Sequence, residues 1–352
     1  MLRSIARQKD SHMDARLLSR HSKVPRIAFA LPPMKSVSRY FFPGLVAVFA
    51  VACLYEFRSD LAHISLAPLA RSWDLVALAA LCSLLNYVFR ILRWQRYLAR
   101  LGRRLPLGFT SLTYIAGFAF TVSPGKVGEM ARARYYSRLG IALPDVAGAF
   151  LVERLMDVVA MLALATLIAT AAPRYHGAMW TAGGVVAVVL LALGLTPWNS
   201  VAGWLETRQR LPRAAVRLGT GVARALAAAR SLLSPPALLL GFLAGLAAWG
   251  FEGLGLCVLG SMFPAVHLAA GVGVGIYAVA VLVGALSFLP GGLGSTEAVM
   301  TALLASQGFT VADALLVTIL CRLVTLWFAV VIGWLAVLAL RNRLEPAVSP
   351  WP

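Results

Sequence analysis

Residues 123–129 read SPGKVGE and residues 290–297 read PGGLGSTE. Each closes an apolar run, 107–122 in the first case and 267–289 in the second, and opens a shorter, more polar helical stretch. Proline lacks a backbone donor and glycine favours non-helical dihedrals, so both helices break here. Whether the two broken segments cross a bilayer or dip into it and return decides the fold.

The surrounding composition supplies the bilayer. Of 352 residues, 60% are hydrophobic and only 13% charged, and the mean hydropathy is +0.80. A soluble domain carries about 25% charged residues, so this excess of apolar side chains cannot be hidden in one soluble core, and a disordered chain would be far more polar. The net charge of +18 reads as cytoplasmic loops and contact with anionic head groups, not nucleic acid. Cys53, Cys82, Cys257 and Cys321 all lie in apolar runs without metal-ligand or disulfide spacing, and read as small buried hydrophobes.

Six stretches are long enough to span about 30 Å of hydrocarbon as helices: 41–57, 75–94, 146–172, 177–197, 237–260 and 311–340. Ahead of them, residues 1–39 carry nine basic residues against two acids and read as a disordered cytoplasmic tail, in which Met34 would also serve as a start. Residues 34–53 superficially resemble a signal peptide ending at Cys53, but the later spans favour an uncleaved first helix. Lys and Arg concentrate on cytoplasmic loops. With the N-terminus inside, the second span ends inside at Arg93, Arg96, Arg100, Arg103 and Arg104. A crossing by 107–122 would put Lys126, Arg132, Arg134 and Arg138 outside, whereas a re-entrant hairpin keeps them inside. The same logic puts Arg208, Arg210, Arg213, Arg217, Arg224 and Arg230 inside after the fourth span, and a second hairpin at 267–289 keeps Arg341 and Arg343 inside.

The fold expected is therefore an all-α polytopic membrane protein with about six transmembrane helices, two re-entrant helical hairpins and both termini cytoplasmic. Three spans separate the hairpins, so they enter from opposite faces. The flanking sequence repeats as well: Pro124, Gly125, Gly128 and Glu129 precede Arg154 as Pro290, Gly291, Gly294 and Glu297 precede Arg322, with proline-to-arginine separations of 30 and 32 residues. Units 41–172 and 177–340 form an inverted repeat within a domain of residues 40–340, and residues 341–352 form a cytoplasmic tail. Inverted repeats with broken central helices are a transporter architecture.

Each tip would leave backbone N–H groups at the start of its returning half-helix, a site that attracts anions such as phosphate. Ionisable residues within the spans cost about 2.5–3.5 kcal/mol each and mark functional paths; Glu153, Arg154, Asp157, Glu252 and Arg322 are such residues. Internal pairing, Arg154 with Asp157 and Arg322 with Glu297 or Glu252, is compatible with a substrate role. The stretch 205–230 reads as an interfacial helix, with Ala215, Leu218 and Val222 on one face and Arg213, Arg217 and Arg224 on another. Trp94 and Tyr97 read as members of an interfacial belt. No Walker loop, GxSxG or HExxH occurs, and His12, His21, His63, His176 and His267 are scattered, so neither cofactor nor metal is expected.

The runs SPGKVGEMARARYYSRLG (123–140), ERLMD (153–157), LPGGLGSTEAVM (289–300) and CRLVTLWFAVVIGW (321–334) resemble the transmembrane region of lysylphosphatidylglycerol synthases, a flippase-like family. The resemblance implies a bacterial or archaeal inner-membrane protein that moves a lipid between leaflets. Its motif positions here are Pro124, Gly125, Gly128, Glu129, Arg132, Glu153, Arg154, Asp157, Pro290, Gly291, Gly294, Glu297 and Arg322. The full-length enzymes add a soluble aminoacyl-transferase domain whereas this sequence ends at Pro352, so synthesis of the lipid is not expected. The expected partner is a membrane lipid with an anionic head group, held by Arg154, Arg322 and the two half-helix N-termini. Arg132 would capture it near the cytoplasmic mouth, and Glu129, Glu297 and Asp157 would hold the arginines when the site is empty or contact an amine or sugar. A homodimer or a lipid-synthesis enzyme are further partners this reading allows. Two other readings stand beside it: a membrane glycosyl- or acyl-transferase using Asp60 and Asp74, and a non-transporting scaffold of a lipid-synthesis complex.

Overall fold

A computed structural model describes residues 67–168, 176–208 and 212–344, all helix and turn with no strand among them. They belong to the second of two units into which the chain divides, Val51–Pro352. The basic tail 1–39, the expected first span 41–57, Asp60 and residues 345–352 lie outside the described residues.

The chain runs through α1 (Ala67–Arg71), α2 (Trp73–Arg100) and α3 (Leu107–Phe118), a 3₁₀ segment Pro124–Arg132, then α4 (Ala133–Ser137) and α5 (Leu143–Ala165). It continues with α6 (His176–Leu195), α7 (Trp198–Glu206), α8 (Arg213–Ser231), α9 (Pro235–Gly260) and α10 (Ala270–Leu286). A short 3₁₀ turn Pro290–Gly292 leads to α11 (Ser295–Ala305), then α12 (Val311–Arg322), a π-helical turn Leu323–Trp327 and α13 (Phe328–Leu344).

The sidedness of α2 shows what solvent surrounds it. Its exposed face carries Leu78, Leu81, Leu84, Val88 and Leu92, while its buried face carries Ser83, Asn86, Arg90 and Arg93. Apolar out and polar in is the reverse of a water-soluble helix and matches a hydrocarbon surround. Trp73–Arg100, Pro235–Gly260 and Val311–Arg341 are each long and apolar enough to cross a membrane. A fourth such span forms if Trp180–Leu195 and Trp198–Glu206, bent by 64°, are taken together. The chain is thus a polytopic all-α membrane protein. The bend falls at Pro197, where the expected span 177–197 ends. α5, at 23 residues, is also long enough, at roughly 34 Å, but carries Glu153, Arg154 and Asp157.

Helices approach closely where side chains are smallest, as packing without a hydrophobic drive requires. A Cβ on Gly148 of α5 would stand 2.6 Å from the Ala225 carbonyl oxygen of α8, and one on Gly253 of α9 would stand 2.7 Å from Val274 Cα of α10. α2 packs along α9, and Asn86 Nδ2 donates to the Ala248 carbonyl (2.9 Å).

Two sets of contacts fix which helix ends lie together. Arg100 Nη1 donates to Ser234 Oγ (2.5 Å), and Arg103 pairs with Asp145 (3.3 Å). The end of α2 and the starts of α5 and α9 therefore share one end of the bundle. There Arg96, Arg104, Arg134 and Arg138 are exposed. At the end of α9, a Cβ on Gly260 would stand 3.2 Å from Leu268, before α10, and 3.5 Å from Phe309, before α12. α8 buries Thr220, Ala223 and Ala229 and exposes Leu218 and Val222 beside Arg213, Arg217 and Arg224; Arg224 pairs with Glu206 of α7 (2.6 Å).

Candidate functional site

Three acids and four arginines meet where α2, α5 and the first Pro-Gly segment converge. Glu153 is fully buried, accepts from Arg132 (2.6 Å) and the Tyr114 hydroxyl, and lies 3.4 Å from Arg93 and 3.3 Å from Arg154. Asp157, one turn along α5, pairs with Arg93 (2.6 Å) and Arg154 (3.1 Å). Glu129 accepts from Thr121 Oγ1 (2.8 Å) and stands 3.5 Å from Arg90 and 3.7 Å from Arg154. Charges this deep persist only when paired and hydrogen-bonded. Aromatic faces add to the pairing: the Arg132 guanidinium sits 3.7 Å from the Trp94 ring centroid and 4.5 Å from that of Tyr114.

At the second tip the same residue types recur in a simpler arrangement. Arg322, the last residue of α12, donates from Nε to Glu297 Oε1 (2.6 Å) and from Nη2 to the Gly291 carbonyl (2.6 Å). Glu297 in turn accepts from the Gly294 N–H through Oε2 (2.6 Å), capping α11. Gly291, Gly292 and Gly294 have φ of +62°, +66° and +82°, conformations that side chains disfavour. The chain can fold back there because these positions are glycine.

The two tips touch. A Cβ on Gly291 would lie 3.5 Å from Val122 Cα, just before the first tip. Between them opens a cavity of about 240 Å³, lined by Arg90, Lys126, Arg154 and Arg322 with Asp157 and Glu252, and closed by apolar residues such as Met161, Val281 and Leu326. Four cations against two acids make it an electropositive chamber. Two of the cations are weakly committed. Arg90, 4% exposed, has only Glu129 at 3.5 Å as an ion partner, and its guanidinium rests among the rings of Phe118 (4.9 Å), Trp249 (5.6 Å) and Tyr114 (5.7 Å). Lys126 has no carboxylate within 4 Å among the described residues; its ammonium lies 5.0 Å from the Trp249 ring centroid, and its φ of +56° is a conformation that a lysine rarely adopts.

The expected site residues divide into three groups. Arg154, Asp157, Gly291 and Arg322 line the cavity. Glu129, Glu153 and Glu297 stand behind it and hold its arginines, while Pro124, Gly125, Gly128, Pro290 and Gly294 shape the tips. Arg132 differs from expectation: it is fully buried and does not line the cavity, because its guanidinium pairs with Glu153 (2.6 Å) and rests against the Trp94 ring. Trp94 and Tyr97 are not an interfacial belt either; both are fully buried, Trp94 Nε1 donating to the Tyr136 hydroxyl (2.9 Å). Of the half-helix N-termini, the second is capped by Glu297, and in the first Ser123 Oγ accepts from the Gly128 N–H (2.6 Å).

Arg90, Arg93, Lys126 and Tyr277 were not assigned to the site from sequence, whereas Glu252 stood out as an ionisable residue within a span. Arg90 carried a signal, a cation four residues before the apolar run 75–94 ends, with Arg93 the one other cation in that run. Asp74, the described acid of the proposed transferase pair, is exposed in the first turn of α2, away from this cavity.

A comparison with curated protein sequences finds no match. The sequence profile described as lysylphosphatidylglycerol synthase TM region matches residues 40–333, a segment that holds every cavity-lining residue. On that match and this helical membrane architecture, the chain belongs to the lysylphosphatidylglycerol synthase transmembrane-region family, a flippase-like lipid-translocating domain.

Proposed function

We infer that this protein carries an anionic phospholipid such as phosphatidylglycerol between the leaflets of a bacterial cytoplasmic membrane, with the head group passing through the chamber between the two tips. The observation that carries the reading is the cation excess of that chamber, above all Lys126, which has no carboxylate within 4 Å among the described residues, and Arg90, whose one ion partner is Glu129 at 3.5 Å. A phosphodiester satisfies such groups through charge-assisted hydrogen bonds worth about 1.5–3 kcal/mol each. Arg154 and Arg322 supply the remaining contacts when their acid partners release them.

Re-entrant hairpins are supported by the contacts at the helix ends. Segment 101–142 leaves from the end of α2 and returns to the start of α5 at the same end of the bundle. Segment 261–310 does the same at the other end, where Gly260, Leu268 and Phe309 gather. The repeated Glu129–Arg154 and Glu297–Arg322 pairs fit two inverted halves. The exposed arginines at the α2 end favour that face as cytoplasmic. The π turn directly after Arg322 is the sort of helix irregularity that accompanies functional motion.

The test is leaflet exchange of a head-group-labelled phosphatidylglycerol in proteoliposomes. The wild-type protein accelerates exchange over protein-free vesicles. Lys126→Ala and Arg154→Ala, each removing one charged contact, slow it about ten- to hundredfold. Full exchange rates in both variants would refute the assignment.

A further inference from the structure

We propose that Glu252 and Tyr277 form a proton-binding site that couples head-group movement to a transmembrane proton gradient; the proposal rests on the translocase reading above and supplies its energy source. Glu252 lies on α9, 17 residues from Pro235 and 8 from Gly260, thus roughly 25 Å and 12 Å from the helix ends. It is 5% exposed and lines the cavity. The Tyr277 hydroxyl of α10, itself in a residue 3% exposed, donates to its Oε2.

What sets Glu252 apart is its partner. Glu129, Glu153, Asp157 and Glu297 each pair with at least one arginine within 4 Å; Glu252 has no cation within that distance among the described residues. An ionised carboxylate buried beside a hydroxyl alone is costly. Taking up a proton removes the cost, and the new O–H can donate where the carboxylate accepted. The surrounding groups make that event consequential. From the facing elements come the cations Arg90 on α2, Lys126 at the first tip and Arg322 on α12. Tyr87 on α2, Asp157 on α5 and Cys321 on α12 complete the titratable neighbours. Asp157 is already engaged by Arg93 and Arg154, which leaves Glu252 as the carboxyl free to change its charge.

The step balances simply. Water at one mouth gives up a proton, which forms an O–H bond on a Glu252 oxygen, and the cavity gains one positive charge. That added charge tightens the hold on an anionic head group, and by reciprocity the bound anion tightens the hold on the proton. When the chamber opens to the other side, the proton returns to water and the head group is released. One proton moves with one lipid anion, so the pair crosses without net charge.

Proton coupling is measured in vesicles holding the full protein and a head-group-labelled phosphatidylglycerol, with a pH gradient imposed and the membrane potential clamped to zero. With one-to-one coupling the labelled lipid accumulates in the leaflet on the alkaline side, by up to about tenfold per pH unit, and protein-free vesicles show no such redistribution on that timescale. Glu252→Gln abolishes the accumulation. Infrared difference spectra of the purified protein provide a readout that needs no transport: a carboxylic-acid band appears on acidification, is missing in Glu252→Gln, and titrates at a different pH in Tyr277→Phe. Wild-type protein that equilibrates the lipid but ignores the gradient overturns the proton site and leaves the translocase standing. The absence of a titrating band assigned to Glu252, whether or not lipid moves, overturns it as well. Failure of the wild-type protein to move any lipid removes both readings.

Discussion

At Glu153 three guanidinium groups converge on one carboxylate, Arg132 at 2.6 Å, Arg154 at 3.3 Å and Arg93 at 3.4 Å. Removing a partner from a buried pair leaves an uncompensated charge, which costs about 3–5 kcal/mol, far more than the pair contributes over an apolar substitute. Glu153→Ala should therefore lower the detergent melting temperature sharply, and Arg224→Ala, which breaks an exposed pair with Glu206 at 2.6 Å, should leave it nearly unchanged, since such a pair contributes less than about 1 kcal/mol of stability. A thermal melt of both variants beside the wild type checks the contrast. Glu153, Arg154 and Asp157 were legible in the sequence because they interrupt an apolar run. Arg93 was not, because a cation near the end of a span looks identical whether it points to water or inward; its partners on α5 lie 60 and 64 residues away. Lys126 was hidden for a related reason: in a tip flanked by Pro124 and Gly128, a lysine reads as a loop charge, and only its position beneath Trp249 makes it part of the chamber.

At the scale of elements, the two broken helices depend on close backbone contact. A Cβ at Gly128 would stand 2.5 Å from the Phe120 carbonyl oxygen and 2.6 Å from Ser123 Oγ, so the 3₁₀ segment Pro124–Arg132 would have to shift. Overpacking of this kind costs about 1–3 kcal/mol. Gly128→Ala should cut lipid exchange by about tenfold or more, whereas Gly250→Ala in α9, where a Cβ meets nothing within 4 Å, should leave exchange and melting unchanged within about 0.5 kcal/mol. Parallel reconstitution of the two variants distinguishes a constrained tip from a general intolerance of alanine. The helices themselves followed from apolar length: the stretches expected at 75–94, 237–260 and 311–340 correspond to Trp73–Arg100, Pro235–Gly260 and Val311–Arg341. The 64° bend between α6 and α7 did not, since hydropathy measures how apolar a run is and not whether Pro197 turns its last residues aside. Likewise the first tip returns through nine residues of 3₁₀ helix, Pro124–Arg132, before any α-helix forms; the local pattern signals a break but not the kind of helix that follows it.

Across the whole molecule, the arginines at the end of α2 and the starts of α5 and α9 mark one face of the bundle, and the meeting of the two tips places the cation-rich chamber between that face and the other. Such an arrangement transports only if the tips part. Transport should also weaken with competing soluble anions that reach the chamber: raising phosphate at constant ionic strength should slow exchange of the labelled lipid in the wild-type protein and have less effect in Lys126→Ala, a comparison made in the same vesicle assay. The gathering of exposed arginines on one face was legible because charge asymmetry acts on whole loops. Which residues of the two halves touch was not, because contacts such as Val122 with Gly291 join segments 169 residues apart. That contact also offers the most direct measurement. In a protein whose native cysteines are replaced, Val122→Cys and Gly291→Cys bring two thiols within bonding reach at the cost of a side chain at a φ of +62°, so the reduced double variant must first be shown to exchange lipid, and oxidation then ties the tips together. Lipid exchange by the oxidised protein is expected to fall to the protein-free rate and to return on reduction; an oxidised protein, with the bond verified by mass spectrometry, that exchanges lipid as fast as the reduced form would contradict a path between the tips.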